Sequence, residues 1–291
     1  MKLHVVINPG SGQPQPVLHT LNTVFRTAGV EWDASLTHRS GDARSQAARA
    51  AAAGADVVVA YGGDGTVMEV AEGVAGTSAV LGVLPGGTAN LMAHELGTAV
   101  GIEKAAQVIV DPASRRMPVD LGRANGKHYI LRCGAGWGAR QVAEATRELK
   151  DRWGTLAYFF GKVKAWGKSD VVSYVIEMDG VVHEFDAFTV SVVNAGNVGM
   201  GPLRLGRDIS VSDGLLDLLV LRGKGVKAFG QLGSAVAGMP TGTEIEHVQG
   251  SRFRIEARPA QPVQLDGEIF GETPLDIEVV PAALTAIVPA A

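Results

Sequence analysis

The sequence predicts an α/β amino-terminal domain with a parallel sheet, followed by a mainly antiparallel β domain. Three observations carry this. Short apolar runs alternate with helical patterns over the first 120 or so residues. Three of those runs end in glycine-rich loops. Beyond Val119 the runs are joined instead by Asn-Gly and Asp-Gly, the residues of tight hairpin turns. Alternating strands and helices imply a parallel sheet covered on both faces.

Each element follows from its own pattern. Leu3–Ile7 reads as a strand ending at Asn8-Pro9-Gly10. Val17–Ala28 reads as a helix, since Leu18, Leu21 and Val24/Phe25 recur at helical spacing between Pro16 and Gly29. Trp32–Leu36 is a second strand, and Asp42–Ala53 an alanine-rich helix stopped by Gly54. Val57–Ala60 is a strand and Thr66–Ala75 a helix. Val80–Leu84 is a strand followed by a short helix to Leu96.

Hairpins are expected at Asn125-Gly126 and Asp179-Gly180. Later strands are expected at Thr189–Val193, Leu215–Leu221, Phe253–Ala257, Val263–Leu265, Ile277–Val280 and Leu284–Val288, and a helical patch at about Gln141–Lys168. The expected domains are residues 1–121 and 122–280.

Composition narrows the function classes. At 291 residues, 46% hydrophobic and 19% charged, the chain is globular rather than disordered. A net charge of −4 gives no overall nucleic-acid signature, so no nucleic-acid partner is expected. One cysteine, Cys133, forms no internal disulfide and suits a reducing cytoplasm. No apolar stretch approaches the roughly 18 residues of a membrane span, and the amino terminus reads as a strand rather than a signal peptide. The expectation is a cytoplasmic protein with at most peripheral membrane contact. The stretch Arg123–Lys168 is the candidate for that contact. It is rich in Lys and Arg, interleaved with Trp137, Trp153, Tyr158, Phe159, Phe160 and Trp166, and opposed only by Glu144, Glu148 and Asp151. A solvated basic helix face is the plain alternative.

The chemistry-bearing motifs lie at strand exits. Gly62-Gly63-Asp64-Gly65-Thr66 follows a strand and opens a helix. Its glycines let backbone N–H groups approach an anion, and the helix adds its positive end. Asp64 is too close to such an anion to be tolerated without a cation or a proton. Glu69 follows Thr66 by three residues on the same side of the helix. Asn8-Pro9-Gly10-Ser11-Gly12 and Pro85-Gly86-Gly87-Thr88-Ala89-Asn90 are the other two exits, and in the latter Gly86-Gly87-Thr88 offers backbone donors and a hydroxyl, and Asn90 a side-chain amide. Ligands of open α/β sheets bind at the carboxyl ends of the strands, so the three loops are expected to converge on one nucleotide site.

Other chemistries find little support. There is no GxxxxGK[ST], no protein-kinase motif set and no HExxH. The seven histidines show no metal-ligand spacing, and no Ser/His/Asp arrangement stands out. Gly134–Ala139 matches GxGxxA but lies outside the alternating region, and reads better as a backbone turn near a substrate. In the second half, Asp266-Gly267-Glu268 places two carboxylates one residue apart. One would take a hydroxyl proton while the other orients it. Taken alone, this segment and Asp213-Gly214 read better as D-G turns.

Taken in order, these residues resemble the diacylglycerol kinase catalytic-domain family, in its bacterial YegS-like lipid kinase branch. The resemblance covers nearly the whole chain. It rests on Asn8-Pro9 with Ser11-Gly12, on Gly62–Thr66 with Glu69, and on Gly87–Asn90. Further along it rests on Gly134–Ala139, Asp213-Gly214-Leu215-Leu216-Asp217, Asp266-Gly267-Glu268 and Ile277–Leu284. The GGDGT motif is shared with NAD kinases and phosphofructokinases, so the later motifs carry the branch.

The resemblance implies a nucleotide-binding α/β domain, a β-sandwich acceptor domain, and a chain end at about 281–291 that returns to the first. It implies transfer of the γ-phosphoryl group of ATP, with Mg²⁺, to a hydroxyl of diacylglycerol or a related lipid at a membrane surface. By the same resemblance Thr37, Gly62–Thr66 and Thr88 contact nucleotide. Asp213, with the carbonyls of Ser210 and Leu215, holds a structural Mg²⁺. Asp266 or Glu268 is the general base.

Many members have Asp where this chain has Leu91, and a bulky residue where it has Gly86. Metal–nucleotide handling would then fall to Asp64 or Glu69. The alternatives are an NAD kinase-like soluble-metabolite kinase and a non-catalytic lipid or nucleotide binder.

Overall fold

The computed structural model describes residues 1–12, 15–136, 139, 171–198, 204–206, 208–222 and 245–290. The expected helical patch at 141–168, and with it most of the basic–aromatic stretch, lies outside the described residues, as do Trp137 and Gly138 of the GxGxxA match. The chain forms two compact units: Met1–Val119 with Ala282–Ala291, and Asp120–Pro281.

In the first unit, β1 (Lys2–Ile7), β2 (Glu31–Leu36), β3 (Val57–Gly62) and β4 (Val80–Pro85) form a sheet in the order β2-β1-β3-β4. Thr285 and Ala286 of β16 (Leu275–Val288) pair with Val80 and Leu81 to extend it. Every one of these pairings is parallel. One face carries α1 (Val17–Thr27) and α5 (Ile102–Val110). There Leu21, Phe25, Ala105 and Ile109 close over Leu3, Val5, Val57 and Leu84. α2 (Asp42–Ala52) and α3 (Asp64–Val74) pack on each other, with small side chains between them. A Cβ on Gly73 would lie 2.5 Å from the Arg44 carbonyl and 2.7 Å from Ala47 Cβ. The alanine-rich sequence of α2 is therefore a packing requirement.

Two elements differ from the sequence reading here. α5 went unread, and α3 begins at Asp64 rather than Thr66. Gly63 is the residue before the helix, and an acidic residue in the first turn suits the positive end of the helix.

The second unit is a β-sandwich. One sheet joins β16 to β13 (Arg252–Arg258), β8 (Val172–Met178) and β9 (Val181–Ala187), with β5 (Arg115–Ala124) and β6 (Lys127–Tyr129) beside β16. The other runs β12 (Ile245–Gly250), β11 (Leu216–Leu221), β10 (Thr189–Val193), β7 (Arg132–Gly136), β14 (Pro262–Leu265), β15 (Glu268–Glu272). All pairings of this second sheet are antiparallel. The core lies between the sheets, with Tyr174, Ile176, Phe253 and Ile255 from one and Val190, Val192, Leu218 and Val263 from the other. Strand alternation explains the split: Phe253 and Ile255 face in while Arg252 and Arg254 face out.

The turn signals read true. Asn125-Gly126, Asp179-Gly180 and Asp266-Gly267 each have two successive positive φ angles, as two-residue hairpin turns need. The two strands expected at 277–280 and 284–288 form one strand, Leu275–Val288, and β12 and β15 went unread.

Candidate functional sites

The three glycine-rich loops of the first unit do converge. The Asn8 N–H donates to the Tyr61 carbonyl (3.0 Å) and the Gly86 N–H to the Gly62 carbonyl (2.9 Å). The approach is too close for side chains. A Cβ on Gly12 would lie 2.1 Å from the Gly86 oxygen, and one on Gly87 would lie 2.6 Å from Gly63 Cα. A Cβ on Gly62 would meet Thr66 Oγ1 at 2.4 Å. These glycines are demanded by neighbouring backbone and side chains, not only by a turn.

The donors around this junction are unequally available. At the start of α3 the N–H groups of Gly65 and Thr66 have no partner among the described residues, as the first turn of a helix dictates. Thr66 Oγ1 accepts from Asn8 Nδ2 (3.0 Å), which leaves its hydroxyl proton to donate outward. Gly87 departs from expectation, because its N–H is occupied by Asn90 Oδ1 at 2.8 Å. Asn90 Nδ2 returns a bond to the Gly87 carbonyl at 2.7 Å. Asn90 thus shapes its own loop, in a left-handed conformation with φ 47°. In the first loop Asn8 Oδ1 accepts from the Gly10 N–H, and the Asn8 carbonyl accepts from Ser11. Pro9, Gly12 and Thr88 are exposed.

The acidic residues separate in the same way. Asp64 Oδ1 accepts from the Met92 N–H (3.0 Å) and so caps α4 (Leu91–Glu95), which has no cap from its own preceding side chain. Glu69 is placed away from the loops. Its two oxygens accept from Gly41 N–H (2.8 Å), Ala43 N–H (3.1 Å) and the Ser40 hydroxyl (3.1 Å), all at the start of α2. Thr37 is buried, and its N–H donates to the Ile7 carbonyl at 2.9 Å.

In the second unit Asp266 occupies the turn between β14 and β15. Its carboxylate accepts three backbone N–H groups, from Ile130 (2.8 Å), Leu131 (2.9 Å) and Arg132 (2.8 Å). Burial pushes its pKa up to about 6, against the three N–H donors and the Arg132 charge, which all lower it. Glu268, two residues on, is exposed. The two carboxylates expected to share one task thus occupy different environments.

The Asp213 loop is held by hydrogen bonds that its backbone N–H groups donate to carboxylates. Asp213 Oδ1 accepts from the Leu215 N–H (3.0 Å). Asp120, unforeseen from the sequence, ties the loop down: its Oδ2 accepts from Gly214 (2.7 Å), and its N–H donates to the Val211 carbonyl (2.7 Å). The carbonyls of Ser210 and Leu215 take no bond among the described residues. One carboxylate and two open carbonyls suit a hard, oxygen-seeking cation. Among the described residues, no group of three or more His, Cys, Asp or Glu is disposed to hold a metal.

Asp217 closes the same motif. It is wholly buried and bonded to His247 Nε2 at 2.6 Å, and its Oδ2 has no partner among the described residues. The hydrogen bond to Asp217 raises the His247 pKa, against burial. Asn194 was also missed. Its Nδ2 binds the carbonyls of Asp120 (2.9 Å) and Ile130 (2.8 Å), joining the Asp213 loop to the segment that holds Asp266.

Residues 2–124 match the family model described as diacylglycerol kinase catalytic domain. Residues 132–288 match the one described as YegS C-terminal NAD kinase beta sandwich-like domain. A diacylglycerol kinase of Bacillus subtilis is 30% identical over 280 residues, 94% of this chain and 91% of that protein. A probable lipid kinase YegS-like of Pseudomonas aeruginosa is 33% identical over 270 residues, 91% of this chain and 87% of its own. An uncharacterized protein of Synechocystis is 31% identical over 242 residues, and there the match takes 81% of this chain but only 55% of the relative. The crystal structure of a putative diacylglycerol kinase from Bacillus anthracis superposes with a TM-score of 0.83 at 28% identity, covering 99% of this chain and 97% of that one. Loops, turns and both halves of the chain thus agree, and the protein belongs to the diacylglycerol kinase catalytic-domain family, in its YegS-like lipid kinase branch.

Proposed function

We propose that the protein transfers the γ-phosphoryl group of ATP to a hydroxyl of diacylglycerol or a related lipid. The observation that carries this reading is the loop junction of the first unit. Three strand exits meet there over the unclaimed N–H groups of Gly65 and Thr66, in a chain of the lipid kinase family. Those N–H groups, the Thr66 hydroxyl and Thr88 bind the phosphates. Glycine at positions 12, 62, 63 and 87 lets the chain lie close enough to do so. Asp64 would hold a Mg²⁺ that, when bound, would neutralise charge at the phosphates. A second cation suits the Asp213 loop.

The acceptor oxygen attacks the γ-phosphorus, the bond from that phosphorus to the bridging oxygen breaks, and ADP leaves. The hydroxyl proton goes to a carboxylate of the second unit, and the environments of Asp266 and Glu268 support a division of labour. Asp266, engaged by three backbone donors, holds the Ile130–Arg132 segment, and Glu268 takes the proton. Catalysis of this kind is positioning and electrostatics.

A soluble-metabolite kinase is the second reading, favoured by one observation. The carboxyl-terminal match is to a domain named for its likeness to NAD kinase. A radiolabelled-ATP assay against vesicles of diacylglycerol and other lipids, and against NAD in their absence, separates the two. Lipid phosphorylation that Asp64→Asn abolishes in a normally folded protein supports the proposal. Full turnover in that variant, or turnover with NAD alone, overturns it. Membrane association is proposed to be peripheral, on the cytoplasmic side. Among the described residues no helix is long and apolar enough to cross a bilayer.

A further inference from the structure

β11 and β12 flank the Asp213 loop on the side away from the sandwich core. Leu216, Leu218 and Val220 of β11 face that core. Asp217 and Leu219, at the alternate positions, face the other way. In the antiparallel pairing, Asp217 lies opposite Gln249 and Leu219 opposite His247. Directly opposed residues share a face, so His247 and Gln249 stand on the same side as Asp217.

Both of these β12 side chains reach the Asp213–Asp217 segment. His247 Nε2 bonds Asp217 Oδ1 at 2.6 Å, and Gln249 Nε2 donates to Asp213 Oδ2 at 3.4 Å. The first contact secures the second. The strands pair continuously from Leu216–Gly250 to Leu221–Ile245, and the buried Asp217 is gripped across them by His247. A slip of one residue would turn Gln249 to the opposite face. Gln249 is therefore kept beside Asp213 by strand register, while its own bond is long and easily given up.

The groups around Asp213 are unequally committed. Its Oδ1 accepts from the Leu215 N–H at 3.0 Å, and the Val211 carbonyl accepts from the Asp120 N–H at 2.7 Å. The carbonyls of Ser210 and Leu215 take no bond among the described residues. Asp213 Oδ2 has only the long contact from Gln249. Asp213 and Gln249 are both exposed, so an ion reaches them directly from solvent.

A side-chain amide carries a donor and an acceptor at equal reach, and a half turn about its last bond exchanges them. Without a cation, the NH₂ of Gln249 faces the Asp213 carboxylate. With a cation on Oδ2, that NH₂ would face a positive charge, and the half turn brings Oε1 to the ion instead. Carboxylates, backbone carbonyls and amide oxygens are the ligands of hard divalent cations. Glutamine thus serves both states. Glutamate would set a second negative charge against Asp213 in the empty loop, and leucine would offer neither donor nor ligand.

We propose that Gln249 is a further ligand of the cation at the Asp213 loop, its Oε1 joining Asp213 Oδ2 and the carbonyls of Ser210 and Leu215. This rests on the cation reading of that loop given above. The motif does not announce this residue, which lies 36 positions beyond Asp213 and is brought to it by β12. The ion is a hard divalent cation, for which Mn²⁺ is the probe.

Two measurements test this. Electron paramagnetic resonance reads Mn²⁺ affinity, without nucleotide, in the wild type, Asp213→Asn, Gln249→Leu and Gln249→Glu. Affinity is expected to fall about 3- to 10-fold in Gln249→Leu, the worth of one polar contact. It is expected to rise by a similar factor in Gln249→Glu, where a charged ligand replaces a neutral one. Anomalous scattering from wild-type crystals soaked in Mn²⁺ is expected to place the ion within about 2.6 Å of Gln249 Oε1, the reach of a hard-cation ligand. Wild-type affinity in Gln249→Leu, or an ion bound at Asp213 with Gln249 Oε1 out of reach, overturns the proposal. The crystal measurement needs no variant, so it decides the matter even where a variant folds poorly. Mn²⁺ binding that is absent from the wild type, or undiminished in Asp213→Asn, overturns the cation reading of the loop and this proposal with it. Binding that Asp213→Asn abolishes and Gln249→Leu leaves unchanged removes only the role of Gln249.

Discussion

Asp64 and Asp266 each stand beside a glycine at the end of a strand, yet their surroundings differ. Asp64 begins a helix in a loop where glycines admit neighbouring backbone, and nearby N–H groups stay open. Asp266 sits in a hairpin turn with three N–H groups closed on its carboxylate. The first region leaves N–H groups open, as the proposed phosphate site needs. The second has filled its donors with its own side chain, while its neighbour Glu268 is exposed. A motif of Asp and Gly therefore says little about role until the donors around it are followed.

The comparison is sharpest at Glu268. Glu268→Gln is expected to lower lipid-kinase turnover about 100- to 10,000-fold, as loss of a general base does, with the unfolding midpoint unchanged. Turnover near wild type would return the base to Asp266.

Next in size is Gly12→Ala, whose methyl group would fall 2.1 Å from the Gly86 oxygen. The first and third loops must part, and MgATP affinity is expected to drop at least about 10-fold, equivalent to about 1.4 kcal/mol. Unaltered affinity by calorimetry would mean the loops do not act together.

Asp266→Asn is expected to act on stability before turnover. An amide offers one acceptor oxygen and opposes at least one buried N–H with its own NH₂, a loss of about 1–3 kcal/mol in denaturant unfolding at pH 7. Its pH dependence carries a definite sign. The folded pKa of Asp266 is raised to about 6 from the ordinary 3.8 of an aspartate, so between those values the native state binds the proton more tightly than the unfolded chain. The contribution of Asp266 is therefore full below about pH 4 and declines as pH rises toward about 6. Wild-type stability minus that of Asp266→Asn should fall across this window, and a difference that rises would show the three N–H donors outweighing burial.

The smallest effect is expected at Gly126→Ala, in the turn between β5 and β6. Its φ of +83° strains any side chain, although nothing crowds the position. A loss of about 1 kcal/mol, with lipid-kinase turnover retained, would mark this turn as purely structural.

Much of this was legible in the chain. Alternating apolar runs and glycine exits identified β1 through β4 and the loop junction, and the Asn125-Gly126 and Asp179-Gly180 turns were found where they were read. α5 escaped because no motif drew attention to Ile102–Val110, although Ala105, Ala106 and Ile109 lie on its buried face. Glu69 was read toward phosphate because three-residue spacing places it near Thr66, but spacing cannot reveal that the start of α2 lies within reach of its carboxylate. Gly87 was read as a donor because its N–H looked open, while Asn90, only three residues on, folds back and occupies it. Asp120 and Asn194 have no local signature, since their partners are far apart in sequence.

By itself, the sequence determined what local physics encodes. That includes strand and helix period, where φ must turn positive, and which residue types gather at strand ends in the pattern of a lipid kinase. Only the tertiary structure decided which polar groups remain open to a ligand. A donor or carboxylate is satisfied by whatever the fold brings within about 3 Å, and that neighbour comes from another element of the chain.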